Sequence, residues 1–180
     1  MPPEPSGPVT ALIATHVRDV PDFPKPGVLF KDITPLLADA DAFARVIGAV
    51  AEHARSLGGV ELIAGVEARG FIVAAAVAAT LRCGMVPIRK AGKLPPPTLG
   101  GCYDLEYGSA RVEVPAGVLA GRRVLVVDDV LATGGTIAAA ADLIVRADGI
   151  LVGLCVLIEL PALGGREHIA PRPVTALAAL

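Results

Sequence analysis

The chain has 180 residues, of which 53% are hydrophobic, and its formal net charge is -2. This length allows one domain with a core of its own, and the charge excludes a global positive field that would hold nucleic acid or an anionic membrane. The apolar runs at residues 71–81 and 149–158 are shorter than the roughly 20 residues that cross a bilayer. We therefore expect a soluble protein.

The cysteines favour the same class of protein. The chain has three of them, Cys83, Cys102 and Cys155, and they form no CxxC pair. We expect free thiols in a reducing compartment, the cytoplasm, and neither a disulfide frame nor a zinc site.

The N-terminal part predicts little regular structure. Residues 1–8 are rich in proline and are expected to be a disordered tail, so that the domain spans residues 9–180. A short helix is expected over residues 9–20. Residues 21–27 should form a shaped, extended loop, because its three prolines fix φ and remove hydrogen-bond donors.

The rest of the chain alternates predicted helices with buried strands. The expected order is an amphipathic helix that is capped by Asp39 or Asp41 and ends before Gly58, a strand over 60–64, a helix over 71–81, a strand over 85–88, a Pro/Gly-rich loop over 92–101, a hairpin of strands 103–107 and 110–114, a strand over 123–127, a turn over 128–135, a helix over 136–147 and a strand over 150–158. Apolar strands between helices are typical of a parallel sheet covered on both faces. The expected fold class is therefore α/β, a single-domain, twisted, mostly parallel sheet flanked by helices, with a small hairpin.

Residues 124–136, Val-Leu-Val-Val-Asp-Asp-Val-Leu-Ala-Thr-Gly-Gly-Thr, carry the clearest functional signal. An apolar strand delivers Asp128 and Asp129 to the carboxyl edge of the sheet, where parallel sheets bind ligands. A turn of small residues follows, and its N–H groups can close around a phosphate at the start of a helix. The turn consists of Ala132, Thr133, Gly134, Gly135 and Thr136.

The two acids would repel a phosphate but suit sugar hydroxyls or a hard cation. We therefore predict a sugar monophosphate in the turn, with the sugar diol facing Asp128 and Asp129. The alternative is an ordinary helix N-cap beside two solvated acids. The turn has no lysine, so it is not a Walker A loop, and the absence of GxGxxG argues against a Rossmann dinucleotide site.

This segment resembles the binding motif for phosphoribosyl pyrophosphate (PRPP) of the type I phosphoribosyltransferases. The resemblance implies that the acids contact the ribose hydroxyls and that the turn holds the 5′-phosphate. It also implies a homodimer, with Mg²⁺ as the cofactor. We expect the ion to be carried mainly by the oxygens of PRPP, so no residue is predicted as a metal ligand.

Five further segments resemble the adenine phosphoribosyltransferase family in order along the chain: residues 23–33, 67–71, 88–95, 103–108 and 159–167. The resemblance implies that adenine and PRPP react to AMP and pyrophosphate, a step of purine salvage. Leu29, Phe30 and Lys31 would hold the adenine. The Phe30 ring offers an apolar face for stacking, with ordinary core packing as the alternative, and many relatives carry Arg where this chain has Lys31.

Cations and a carboxylate complete the predicted site. Arg69, Lys90 and Lys93 are predicted to bind pyrophosphate, with Arg69 also stabilising the leaving group, although such a run of cations is usually solvated surface. Arg89 has no assigned role. The resemblance places Glu106 as acid/base toward the purine and Tyr107 near PRPP.

Two alternative functions stay open at this point. One is the same chemistry on hypoxanthine, guanine, xanthine or orotate. The other is a non-catalytic PRPP sensor that regulates transcription, which would need a DNA-binding module or a basic face that this chain lacks.

Overall fold

The fold is built on a seven-stranded sheet and a separate two-stranded ribbon, in a computed structural model that describes residues 7–105 and 108–180. The ribbon consists of β1 (Arg18–Pro21) and β2 (Leu29–Asp32). The sheet strands are β3 (Leu62–Val66), β4 (Gly84–Lys90), β5 (Thr98–Leu105), β6 (Gly108–Pro115), β7 (Arg123–Leu131), β8 (Ile150–Glu159) and β9 (Val174–Ala179).

The order of strands in the sheet is β5-β6-β4-β3-β7-β8-β9. Strands β4, β3, β7, β8 and β9 are parallel, while β5 and β6 form an antiparallel hairpin on β4. This confirms the expected mostly parallel α/β sheet with a small hairpin. Because β3 and β7 are parallel neighbours, the loops that follow them emerge at the same edge of the sheet.

Helices cover both faces of the sheet. They are α1 (Pro8–His16), α2 (Thr34–Ala38), α3 (Ala40–Ser56), α4 (Gly70–Leu81), α5 (Gly135–Arg146) and α6 (Gly165–Ile169), with a 3-10 turn at Pro161–Leu163. One core packs α5 against one face, and the other packs α1, α3 and α4 against the opposite face. In the part of the chain that the structure describes, the helices lack the combination of length and apolarity that a bilayer crossing requires.

The helix predicted over residues 9–20 was wrong beyond His16. The helix ends at His16, and Arg18–Pro21 pairs antiparallel with Leu29–Asp32. Opposite charges lie across this ribbon: Arg18 Nη2 is 2.7 Å from Asp32 Oδ2, and Lys31 Nζ is 2.7 Å from Asp19 Oδ1. Such cross-strand pairs favour the ribbon over continuation of the helix.

Other elements were found with shifted ends. Asp39 caps α3, since its Oδ1 accepts the Ala42 N–H at 2.8 Å. The loop expected over 92–101 is shorter, because β5 begins at Thr98. The turn expected from Asp128 begins later, because β7 pairs with β8 as far as Leu131 opposite Glu159. Helices α2 and α6 and strand β9 were not predicted.

Two glycines, one with free space around it and one in close contact with its neighbours, allow a test of the packing. Gly48 lies inside α3, and a Cβ added there meets nothing within 4 Å. Gly48→Ala should raise the free energy of unfolding by about 0.5–1 kcal/mol, because alanine loses less backbone entropy in a helix. The matched control is Gly65→Ala on β3, where the new Cβ would lie 2.6 Å from Ala74 Cβ and should destabilise. Urea denaturation measures both, and a loss of stability in Gly48→Ala would contradict the packing described.

Candidate active site at the carboxyl edge of the sheet

A pocket of about 330 Å³ opens at the carboxyl edge of β3 and β7. Its walls come from β2, from the segment after β3 and from the β7 turn. Eight residues that the sequence assigned to one site line it together: Leu29, Phe30, Lys31, Arg69, Asp128, Asp129, Ala132 and Thr136. A smaller cavity of about 90 Å³ continues along the turn and is lined by Thr133, Gly134 and Gly135 among others.

The turn after β7 is shaped by close backbone approach. Gly134 has φ +87°, and a Cβ there would lie 2.7 Å from the Gly165 carbonyl oxygen. A Cβ on Gly165 would lie 2.2 Å from the Ala132 carbonyl oxygen. Only glycines fit this contact between the turn and α6. Sequence reasoning did not single out Gly165, although it lies in the segment 159–167 that carried the resemblance.

The first turn of α5 begins at this bend without a side-chain cap. Its N–H groups, together with the positive end of the helix dipole, are therefore available to an anion. Asp129 is only 5% exposed. The alternative of a side-chain N-cap does not describe this arrangement, and Asp129 is not a solvated acid.

Asp129 forms a close ion pair that leaves hydrogen-bonding capacity unused. Its Oδ2 lies 2.6 Å from Arg69 Nε. The two atoms are not aligned as a hydrogen bond, and in the described part of the chain this buried oxygen accepts none. Buried polar atoms are normally satisfied, so Asp129 Oδ2 suits a hydroxyl donor that enters the pocket.

Asp128 differs from its neighbour in its electrostatics. Its Oδ1 accepts the Asp129 N–H at 2.9 Å. Burial and the adjacent Asp129 charge raise the pKa of Asp128 well above its usual value. Gly70 is required beside it, because a Cβ there would lie 2.8 Å from Asp128 Oδ1.

Arg69 joins the ribbon to the acids. Its Nη1 donates to the Lys31 carbonyl oxygen at 2.9 Å, and its guanidinium carbon lies 4.6 Å from the Phe30 ring centroid. The Arg69 guanidinium therefore contacts Asp129, Lys31 and Phe30. Its binding of pyrophosphate stays a prediction.

The residues predicted to hold adenine share β2 and the pocket wall. Phe30 is half-buried and belongs to neither described core, and Phe23 meets its ring edge-on with centroids 5.1 Å apart. Leu29 is half exposed. The Lys31 ammonium pairs with Asp19 across the ribbon, a contact with one carboxylate oxygen for which a planar bidentate group is not needed.

Lys90 and Lys93 do not line the pocket. Lys90 is the last residue of β4, and Lys93 lies on the loop that follows it. That loop is held by Glu67 and Glu113, two acids that the sequence analysis assigned no role. Glu67 Oε1 lies 2.5 Å from Lys93 Nζ, and Glu67 Oε2 accepts the Lys90 N–H at 2.9 Å. Glu113 Oε1 accepts the N–H groups of Lys93 and Leu94 at 3.0 and 2.9 Å.

The pKa values of both acids are lowered. Burial alone would raise the pKa of Glu67, but the hydrogen bonds from Lys93 and the Lys90 N–H, with the charges of Lys93 and Arg89, lower it. The Leu94 N–H bond is the main cause that lowers the pKa of Glu113. Glu67 stands in the 67–71 segment and could have been found from it, whereas no motif marks Glu113.

Three residues named in the sequence analysis remain to be placed: Arg89, which had no predicted role, and the predicted site residues Glu106 and Tyr107. Arg89 is a loop contact, since its Nη1 donates to the Lys93 carbonyl oxygen at 2.9 Å. Glu106 and Tyr107 lie outside the described residues.

Comparisons with known proteins agree with this geometry. Residues 36–172 match the family model described as the phosphoribosyl transferase domain. The chain is similar to adenine phosphoribosyltransferases of Mycobacterium avium, at 57% identity over 93% of this chain and 92% of the relative, and of Thermobifida fusca, at 59% over 94% and 97%.

Solved structures give the same result. The structure of adenine phosphoribosyltransferase from Rhodothermus marinus superposes with a TM-score of 0.90 at 42% identity, over 96% of this chain and 98% of that chain. The Saccharomyces cerevisiae enzyme, solved in complex with an imino-altritol bisphosphate and adenine, has a TM-score of 0.88 at 35% identity, over 94% and 98%.

The raised pKa of Asp128 predicts a stability cost at neutral pH. Between the usual carboxyl pKa and its own raised value, the folded state binds more protons than the unfolded state, so wild-type stability falls as pH rises. Asp128→Asn keeps the acceptor oxygen and removes the charge. We expect it to be more stable than wild type at pH 7, with an advantage that shrinks as the pH falls below the raised pKa and is lost at the usual carboxyl pKa.

Urea denaturation across pH measures this difference. The matched control is Asp129→Asn, which weakens the ion pair with Arg69 and should not stabilise. An Asp128→Asn variant that is no more stable than wild type at pH 7 would contradict the assigned electrostatics.

Proposed function

Because this chain belongs to the adenine phosphoribosyltransferase family, we propose that the pocket between β2 and the β7 turn binds its two substrates, adenine and PRPP. The reaction converts them to AMP and pyrophosphate, a step of purine salvage. The observation that carries this assignment is the buried Asp129 oxygen without a hydrogen bond, beside a turn with uncapped N–H groups.

The phosphoribosyl group is assigned to the β7 turn. The N–H groups of residues 132–136 and the hydroxyls of Thr133 and Thr136 would hold the 5′-phosphate. The ribose diol would donate to Asp128 and Asp129, which supplies the hydrogen bond that Asp129 Oδ2 lacks.

Adenine is assigned to the face of Phe30. Backbone groups near Leu29 and Lys31 would read the edge of the base, a mode of recognition that discriminates strongly because an unmatched buried group is costly. Arg69 lies over this ring, with its guanidinium carbon 4.6 Å from the centroid. We propose that it moves toward the pyrophosphate on binding, which frees the ring for the purine.

The chemistry is substitution at the anomeric carbon of the ribose. Purine N9 forms the new bond to that carbon as its bond to the pyrophosphate oxygen breaks, with a transition state of oxocarbenium character. Arg69, Lys90 and Lys93 would stabilise the departing negative charge, and alignment of base and sugar would supply much of the acceleration. Glu106 is proposed as acid/base at the purine and Tyr107 as a contact to PRPP.

Mg²⁺ is proposed to enter with PRPP and to be held mainly by the oxygens of that substrate. The carboxylates of Asp128 and Asp129 are hard donors that suit this ion, but Asp129 is already paired with Arg69. When bound, Mg²⁺ would supply further neutralisation of the pyrophosphate charge.

The wider setting is also a proposal. We propose a cytoplasmic enzyme, supported by the free thiols of Cys83 and Cys155. We propose a homodimer, as the resemblance of the sequence implies, and sedimentation velocity gives its mass directly.

The direct test of the substrate assignment is turnover on a panel of bases. Purified protein with PRPP and Mg²⁺ should form a nucleotide fastest with adenine. Faster turnover on hypoxanthine, guanine, xanthine or orotate would overturn the choice of base. Binding of PRPP without any product would instead indicate a regulator.

A further inference from the structure

The Glu67 carboxylate lies beside the pocket and is paired with the cations of Arg89 and Lys93. Glu67 lines the pocket wall, and its side chain is 11% exposed. Each carboxylate oxygen accepts a hydrogen bond, Oε1 from Lys93 Nζ on the loop and Oε2 from the Lys90 N–H at the end of β4. Arg89 Nε lies 3.5 Å from Oε2. Both oxygens of the Glu67 carboxylate are thus engaged, one by an ammonium group and the other by a backbone N–H.

These donors are suited to another anion. Lys90 and Lys93 are the residues assigned to pyrophosphate in the proposed function, and this inference depends on that assignment. A pyrophosphate oxygen offers Lys93 the same charge-assisted contact that Glu67 Oε1 now makes. The two anions would also repel each other at this short range, so they do not share Lys93.

We infer that Glu67 is an internal substitute for the pyrophosphate group, which its carboxylate replaces on Lys93 before substrate binds and after product leaves. Glu67 is a positioning residue, since it acts through Lys93 and the loop. Its carboxylate lowers the affinity of the loop for pyrophosphate, because each binding event must break an existing ion pair. The same carboxylate favours release of the product by taking Lys93 back.

Glu113 provides the contrast within the same loop. It also accepts N–H groups of the loop, from Lys93 and Leu94, and the Thr98 hydroxyl at 3.4 Å. These donors are uncharged, and among the described residues no lysine or arginine forms an ion pair with Glu113. Loss of Glu113 should loosen the loop without releasing a cation.

The inference is tested by isothermal titration calorimetry, in which pyrophosphate is added to the enzyme in the presence of Mg²⁺. The enzyme is first saturated with ribose 5-phosphate, so that the β7 turn does not take up the titrant. Glu67→Gln should lower the Kd for pyrophosphate about twofold to fivefold, the range expected for removing one partly exposed competing ion pair. Glu67→Asp, whose carboxylate is one methylene shorter, should lower it less.

The matched control is Glu113→Gln, which should leave the Kd unchanged or raise it. A merely structural role for Glu67 predicts the same weakening for both glutamates, so an unchanged or raised Kd in Glu67→Gln and Glu67→Asp would overturn the inference. Lys93→Met separates this failure from that of the pyrophosphate assignment. It should raise the Kd, and if it does not, Lys93 is no pyrophosphate ligand and both statements fail.

Discussion

The 2.6 Å approach of Arg69 to Asp129 is the contact on which the site depends. Arg69 stands where α4 begins after β3, Asp129 lies on β7, and the second Arg69 nitrogen holds the Lys31 carbonyl of the ribbon. Three chain segments that are distant in sequence therefore meet at one guanidinium. The pairing also offsets the cost of a buried carboxylate, while the oxygen that it leaves without a hydrogen bond makes the site receptive to a sugar hydroxyl.

The charges around the pocket are paired within the protein itself. Asp129 neutralises Arg69, Glu67 neutralises Lys93, and Asp19 neutralises Lys31. A substrate with a phosphate and a pyrophosphate would replace the first two of these pairs with its own anionic groups. The ion pairs of Arg69 and Lys93, which hold the segments around the pocket together, are thus the pairs that substrate binding would break. Protein stability and the side-chain motion expected in the reaction therefore depend on the same contacts.

Much of this architecture is predictable from local sequence. Apolar runs between helices specify the parallel sheet, and the acids followed by small residues at 128–136 specify its functional edge. The ribbon was not predicted, because its strands are stabilised by cross-strand pairs such as Arg18 with Asp32. The length of β7 depends on pairing with β8, and Gly165 and Glu113 matter through tertiary contacts without a local pattern. The choice of adenine came from resemblance, since no spacing of residues identifies a base.

We propose that residues 132–136 bind the sugar phosphate while Asp128 and Asp129 hold its hydroxyls. A crystal structure of the protein with AMP would show this binding mode. We expect the 5′-phosphate on the N–H groups of the β7 turn, the ribose hydroxyls on the two aspartates and the purine against Phe30. AMP bound at another place, with the Arg69 pair and the turn unaltered, would contradict it.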